Sequence, residues 1–331
     1  MHLPAGKLPV RVLRTLLRHR GAPDRSVVVG PAFGEDAAVV RLGTHYLVLK
    51  SDPVTFTTSE LGWYAVHVNA NDIAVMGGRP RWFQPTIILP EGCTTATVLK
   101  IARDIHRAAA GLGIAITGGH TEVSPAVRQP IVAGDMQGVV PRNRLIRSGG
   151  ARSGDVLIMT KSAGIEGTAI LAREYPDAVR RVLGVAGQRR AARFHRRPGI
   201  SIVQEAGIAA RHHASALHDP TEGGVAAGLY EMATASRCRF VIDLGLIDVH
   251  PYTARLCQHF GLRTLGLIAS GSCLISIQPQ HARRLLRSLA TRRIPARVIG
   301  RVTRGRGIEA HQDGRRVPFH WSERDELTRL P

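Results

Sequence analysis

Carboxylates beside glycines recur along this sequence where oxygen ligands could be held for a hard cation. Gly34-Glu35-Asp36-Ala37-Ala38 leads from a turn into an apolar run. Glycine permits the tight backbone, and paired acids at a strand's start suit Mg²⁺, which takes oxygen ligands and often a nucleotide's phosphates. An acidic turn before a strand has the same appearance. Ser51-Asp52-Pro53 follows the apolar residues 46–50. An aspartate at a strand's end beside proline suits a site residue and a turn former equally. In Asn69-Ala70-Asn71-Asp72-Ile73-Ala74-Val75-Met76-Gly77-Gly78, Asn69 and Asp72 lie three apart and share a helix face. Polar groups in so apolar a helix are costly to bury without a partner. A cation or a phosphate-bound water would satisfy them, and an exposed face would need neither.

Three further segments combine glycine with polar side chains. Thr117-Gly118-Gly119-His120-Thr121-Glu122 ends a strand in a diglycine turn. Backbone N–H groups of such turns can cradle phosphate, His120 and Glu122 add a base or metal ligand, and a plain hairpin connection is the alternative. Lys161-Ser162-Ala163-Gly164-Ile165-Glu166-Gly167-Thr168 is glycine-spaced before a helix, as phosphate loops are, but does not match GxxxxGK[ST]. His218-Asp219-Pro220-Thr221-Glu222-Gly223-Gly224 reads as a capping box, with Asp219 as cap, Pro220 first in the helix and Glu222 third. Such a helix start also attracts phosphate.

Mixed α and β elements must position these groups. Residues 27–29, 37–40, 46–50, 82–89, 114–116 and 131–140 read as strands. A helix is expected over residues 59–76, with Ser59 as its cap, and another over 97–112, where the apolar residues recur at the helical period. The turn-rich stretch 148–154 is the expected domain boundary, giving domains 1–150 and 151–331. Beyond it, strands are expected at 155–160, 240–242, 273–277 and 297–302, with helices opening at Glu166 or Gly167 and near Thr221. Residues 180–197 read as an arginine-dense, solvated helical face. The alternation predicts an α+β protein of two domains.

The order of these segments is more specific than any one of them. GEDAAVV, SDP, NANDIAVMGGRP, TGGHTEV, MTKSAGIEGTAIL, HDPTEGGVAAGLYEMA, ASGSCLISI and VIGRV resemble, in that order, the hydrogenase-maturation branch of the aminoimidazole-ribonucleotide-synthetase-like superfamily, over about residues 6–302. The resemblance implies a two-domain fold, with an N-terminal domain that forms a β-barrel across a homodimer and a C-terminal α/β sandwich. It implies ATP and Mg²⁺, with Asp36, Asp52 and Asp72 as metal ligands. Gly34, Asn69, Asn71, Gly118, Gly119, Thr121 and Lys161 would contact the nucleotide, and Asp72, His120, Asp219 and Glu222 would be catalytic. The implied chemistry is activation of an amide or other oxygen on a small-molecule or protein-borne substrate through a phosphorylated intermediate. A kinase of the thiamine-monophosphate type and a non-catalytic nucleotide-binding partner in a maturation complex are the alternatives. Three positions depart from the branch. The carbamoyl-dehydrating enzyme carries its substrate on a C-terminal cysteine, whereas this sequence reads Thr328-Arg329-Leu330-Pro331 and has no cysteine after Cys273. His120 stands where aspartate is usual, and Glu222 where the maturation enzyme has arginine.

Bulk composition agrees with a globular enzyme. The sequence has 331 residues, 44% hydrophobic and 21% charged. No run is long and apolar enough for a membrane span, and residues 1–10 lack a signal-peptide pattern, so a cytoplasmic protein is expected. Cys93, Cys238, Cys257 and Cys273 stand singly, without a CxxC pair, and read as small buried or part-buried residues. The formal charge of +20 comes almost wholly from arginine, with lysine only at 7, 50, 100 and 161. Scattered arginines and 5% aromatics argue against a nucleic-acid surface.

Overall fold

The computed structural model describes residues 3, 5–55 and 57–330. Contacts divide the chain into a smaller unit, residues 25–30 and 37–145, and a larger one. The larger unit takes in the N-terminal segment up to Asp24, residues 31–36 and the chain from Ile146 onward. The family of expected strands and helices is present in both, and each unit is mixed α/β.

Helix α1 (Val10–Leu16) opens the larger unit. The smaller unit then runs β1 (Val27–Val29), β2 (Ala38–Leu42), β3 (His45–Val54), α2 (Leu61–Val75), β4 (Arg79–Leu89), α3 (Thr95–Leu112), β5 (Ala115–Ile116), β6 (His120–Val123) and β7 (Ile131–Pro141). Its sheet has the order β1-β2-β3-β7-β4, with β5 and β6 both paired to the outer edge of β4. Among the described residues the sheet is open and no barrel closes.

Helix α2 packs on β3 and β7 and is covered by α3, so it is buried on nearly every side. This is the burial expected of a helix apolar all round. Two glycines of β7 let it lie on the strand backbone. A Cβ at Gly134 would come 2.4 Å from Asn69 Nδ2, and one at Gly138 would come 2.3 Å from Ile73 Cγ2. Gly134 and Gly138 share a strand face, and Asn69 and Ile73 share a helix face. The amphipathic reading of α3 holds: Ile101, Ile105, Ala108 and Ala109 are buried, the Thr94 side chain accepts the Thr97 N–H, and Gly113 ends the helix at φ 67°.

Two expectations here need correction. Ser59 does not cap α2. Glu60 takes that place in a left-handed conformation (φ 60°), while the Ser59 N–H bonds the Thr57 hydroxyl. The diglycine segment is not a hairpin. Both β5 and β6 run parallel to β4, so Gly118-Gly119 interrupts one edge strand.

The larger unit continues β8 (Val156–Thr160), α4 (Ile165–Glu174), α5 (Pro176–Ala191), α6 (Val203–Arg211), β9 (Ala216–His218), α7 (Gly224–Ser236), β10 (Arg239–Asp243), α8 (Pro251–Phe260), β11 (Leu274–Ile277), α9 (Pro279–Thr291), β12 (Ala296–Thr303), β13 (Gly307–Gln312) and β14 (Arg315–Val317). Its open sheet has the order β14-β13-β10-β12-β8-β11-β9. On one face Val225, Leu229 and Met232 of α7 share a core with Leu157, Met159, Phe240 and Leu274. The capping box read at 219–222 does not form. Helix α7 begins at Gly224, after Gly223 and Gly224 have both turned the chain at positive φ (80° and 64°), and the Gly223 N–H is taken by Asp325 at 2.8 Å.

Candidate active site

The acidic residues fall into two sets, one in each unit. In the smaller unit Lys50 and Asp52 project from β3 and Asp72 from α2. Lys50 Nζ lies 3.2 Å from Asp72 Oδ2 and 3.5 Å from Asp52 Oδ2. The Asp72 side chain is only 4% exposed, against 37% for Asp52. Asn69 donates Nδ2 to the carbonyls of Asp52 (3.1 Å) and Ala65 (2.8 Å). Asn69 and Asn71 are both fully buried. The polar face of α2 is therefore not exposed, and a lysine is among its partners. Nor is Asp52 a turn former: β3 runs on to Val54, and Asp52 pairs with Gly134.

The diglycine segment lies elsewhere on the same sheet. Gly134 pairs with Pro85, and a Cβ at Gly119 would meet the Pro85 carbonyl oxygen at 2.3 Å. Asp52 and Gly119 are thus in one row across the sheet, three strand spacings or about 14 Å apart. Gly118, Gly119, His120 and Thr121 are exposed. His120 Nε2 pairs with Glu122 Oε2 at 3.2 Å, which leaves His120 a solvated side chain not gathered beside Asp72.

In the larger unit Gly34 (φ 79°) turns the chain close to α7, where a Cβ would come 2.9 Å from the Glu231 carbonyl oxygen. This turn delivers Asp36. Ser148 Oγ donates to Asp36 Oδ2 at 2.6 Å, and His218 Nδ1 lies 2.8 Å from Asp36 Oδ1. On its other side His218 Nε2 meets Glu231 Oε2 at 3.2 Å, and Lys7 Nζ meets Glu231 Oε1 at 3.5 Å. Burial alone would lower the His218 pKa. The Asp36 charge and the hydrogen bonds to Asp36 and Glu231 outweigh it and hold the imidazole well above its usual range. Burial would raise Glu231, but Lys7 and His218 bring it down to about 2. His218 thus bridges two carboxylates, and both favour its charged form. Asp219 is buried (2% exposed), and a carboxylate oxygen of it lies within 4.8 Å of one from Asp36. Glu222 accepts the Lys7 backbone N–H at 3.1 Å.

Lys161 is turned inward. Its ammonium reaches the carbonyls of Gly199 (3.2 Å) and Ser201 (2.7 Å) and Glu205 Oε1 (2.7 Å), which uses its three donors. It ties its loop to residues 199–205, so the ammonium expected from sequence to contact the nucleotide is engaged within the protein. Nearby, burial pushes Glu166 up to about 7, opposed by Ser270 and reinforced by Asp325 and Glu222.

Sequence reasoning missed Lys50, His218, Lys7, Glu231 and Ser148. Lys50 adjoins the SDP segment, and His218 and Glu231 lie inside the 218–233 segment, so their types were legible without a role. Lys7 and Ser148 lie outside those motifs, and the contacts of all five are long-range. The donor chemistry fits a magnesium ion: Asp52 with Asp72, and Asp36 with Asp219, offer only oxygen.

Comparison with known proteins follows the division into two parts. The family described as AIR synthase related protein matches with its N-terminal domain over residues 34–140 and its C-terminal domain over residues 152–313. A hydrogenase expression/formation protein of Methanocaldococcus jannaschii is 28% identical over 314 residues, covering 92% of this chain and 90% of its own length. The carbamoyl dehydratase HypE of Rhodobacter capsulatus is 29% identical over 306 residues, covering 91% and 84%. Among solved structures, a HypE–HypF complex aligns with TM-score 0.75 and 19% identity over 94% of this chain and 100% of the other. HypE bound to ATP aligns with TM-score 0.71 and 22% identity over 98% of each. Thiamine monophosphate kinase of Aquifex aeolicus aligns with TM-score 0.69 and 17% identity over 93% and 97%. These likenesses establish the fold.

Proposed function

Because this chain belongs to the AIR-synthase-related family, we propose that it is an ATP- and magnesium-dependent enzyme that activates an amide or other oxygen. The γ-phosphoryl group would pass to that oxygen with ADP as the leaving group. Phosphate would then leave as the carbon–oxygen bond breaks, either with loss of the amide N–H protons to give a C–N multiple bond or with attack of a nucleophile at that carbon. The observation that carries the reading is the burial of Asp72 and Asp219, 3% and 2% exposed, inside the quoted motifs. Asp72 is held beside Lys50 and Asp219 beside Asp36, and buried, clustered carboxylates in a motif are candidates for a functional site.

Asp36, Asp52 and Asp72 are the proposed metal ligands, with Asp219 a further oxygen donor beside Asp36. The ion would offset the negative charge of the triphosphate. His218, Ser148 and Lys7 hold the carboxylates of the larger unit in place. In the smaller one Lys50 holds the carboxylates of Asp52 and Asp72, and Asn69 holds the Asp52 backbone carbonyl. Gly34, Asn71, Gly118, Gly119 and Thr121 are proposed nucleotide contacts, and His120 and Glu222 face the substrate in this reading. The likeness to HypE bound to ATP and to a HypE–HypF complex supports nucleotide use and a maturation partner. The chain's acceptor is proposed to be protein-borne or a small molecule.

Homodimerisation through the smaller unit's sheet belongs to the same proposal. The face away from α2 carries Leu47, Leu49, Trp82, Ile88, Ile131 and Val139, all part-exposed, in register across β3, β7 and β4. No helix among the described residues is long and apolar enough to cross a membrane, which accords with a cytoplasmic enzyme.

The test is phosphate release from ATP and magnesium with candidate carbamoyl and amide acceptors, alongside nucleotide affinity. Asp36→Asn and Asp72→Asn should each cut turnover by about a hundredfold or more. A stable phosphorylated product would favour a kinase. Unchanged affinity and turnover in both variants would refute the site.

A further inference from the structure

A cationic cavity in the larger unit is left unused by the ATP reading. Gly184 breaks α5 with φ 73° and ψ 170°, a conformation open to glycine. The helix beyond the break carries Arg189 and Arg190, and a wide helical turn, His195–Gly199, follows with Arg197. Arg190 closes α5, Arg193 lies in the turn that follows and Arg197 beyond it with extended backbone (φ −146°, ψ 107°), and all three reach the same cavity wall. With Arg189, and Arg173 of α4, they line a cavity of about 1060 Å³, whose wall holds a single carboxylate, Asp248.

Guanidinium groups gathered at one wall repel one another. Among the described residues, Arg189, Arg190, Arg193 and Arg197 form no ion pair with a carboxylate. The field extends to His250 at the same wall. Burial lowers its pKa, Asp248 opposes this, and Arg190 lowers it further. An anion in the cavity would relieve the repulsion, and the planar fork of arginine matches phosphate oxygens in pairs.

We propose that this cavity binds a small, metal-free polyanion carrying two or more phosphate groups. Four guanidinium groups, those of Arg189, Arg190, Arg193 and Arg197, at a wall with one carboxylate provide the neutralisation that magnesium provides beside aspartates, so the ligand enters without a metal ion. Arg173 is held by the Ala192 carbonyl and His195. These four arginines are exposed but gather around one concavity, and the neighbouring ring, Phe194, is buried to 2% exposure. A nucleic-acid strand would require an extended basic track with rings free to stack. The site is independent of the ATP reading and stands or falls separately.

The probe is inorganic triphosphate, titrated calorimetrically into the full chain with EDTA at low salt. One saturable site is expected. Arg190→Gln with Arg193→Gln should weaken binding about tenfold or more, and Arg189→Gln with Arg197→Gln should do so independently. Arg284→Gln with Arg287→Gln, on the exposed side of α9, removes equal charge elsewhere and should change affinity less than about twofold. The same small effect is expected of Asp36→Asn with Asp72→Asn. Binding retained by both cavity pairs overturns the proposal, as does equal loss in the α9 pair. A short single-stranded DNA that binds and is not displaced by triphosphate would overturn it too, since the surface would then serve a macromolecule.

Discussion

At the scale of single residues, the lysines are informative. The sequence uses arginine almost everywhere and lysine at four positions. Each lysine meets a carboxylate: Lys7 with Glu231, Lys50 with Asp52 and Asp72, Lys100 with Asp104, and Lys161 with Glu205. A compact ammonium with three donors fits between close acceptors where a flat guanidinium does not. The buried acid Glu166 yields a prediction about pH. Its folded pKa, about 7, lies above the ordinary value of 4.5, so the folded state binds the extra proton between those limits. Its contribution to stability is full below pH 4.5 and is lost as pH rises through 7. Glu166→Gln, which stays neutral, should match the parent in urea unfolding at pH 4.5 and exceed it by about 3 kcal/mol at pH 8. A gap that does not vary with pH would contradict this. None of it was legible in the sequence, where Glu166 is one acid in a glycine-spaced loop. Its neighbour Asp325 is 159 positions away, and only folding brings it near. The acids in quoted motifs were legible because their types and order are local properties.

At the scale of elements, periodicity succeeded where one face is buried and failed where glycine decides. Helix α3 was readable from its stripe, and its threonine cap emerged only in the structure. The start of α7 was not. Asp219-Pro220-Thr221-Glu222 has the composition of a capping box, but the two left-handed glycines that follow it postpone the helix. The diglycine segment misled for a similar reason, since pairing with β4 and not turn chemistry sets its path. Gly134 offers the sharpest test of how an element positions the candidate site. A methyl group there would come 2.4 Å from Asn69 Nδ2 and 2.6 Å from Phe83 Cε2. Gly134→Ala should cost about 1–3 kcal/mol in denaturant unfolding and weaken ATP binding by displacing Asn69 from the Asp52 carbonyl. A variant with the parent's stability would mean that α2 does not bear on this strand.

At the scale of the whole molecule, the open sheet face of the smaller unit bears on assembly. An apolar face of this kind marks an interaction surface. Sedimentation of the parent should therefore give a dimer, and Leu49→Asp with Val139→Asp a monomer with unchanged circular dichroism. A monomeric parent would remove the homodimer from the reading. Sequence could anticipate two α+β parts, since strand and helix signals alternate throughout, but not that the N-terminal segment joins the later one. That choice is made by Lys7, which reaches Glu222 and Glu231 more than two hundred positions on, and by Asp36 at His218. The larger unit is consequently a discontinuous body whose charge balance is drawn from both ends of the chain. A fragment starting at Ile146 would inherit the imidazole and Glu231 without the lysine or the aspartate that steady them. Severing the molecule at its apparent joint would thus divide a polar core and not two self-sufficient halves.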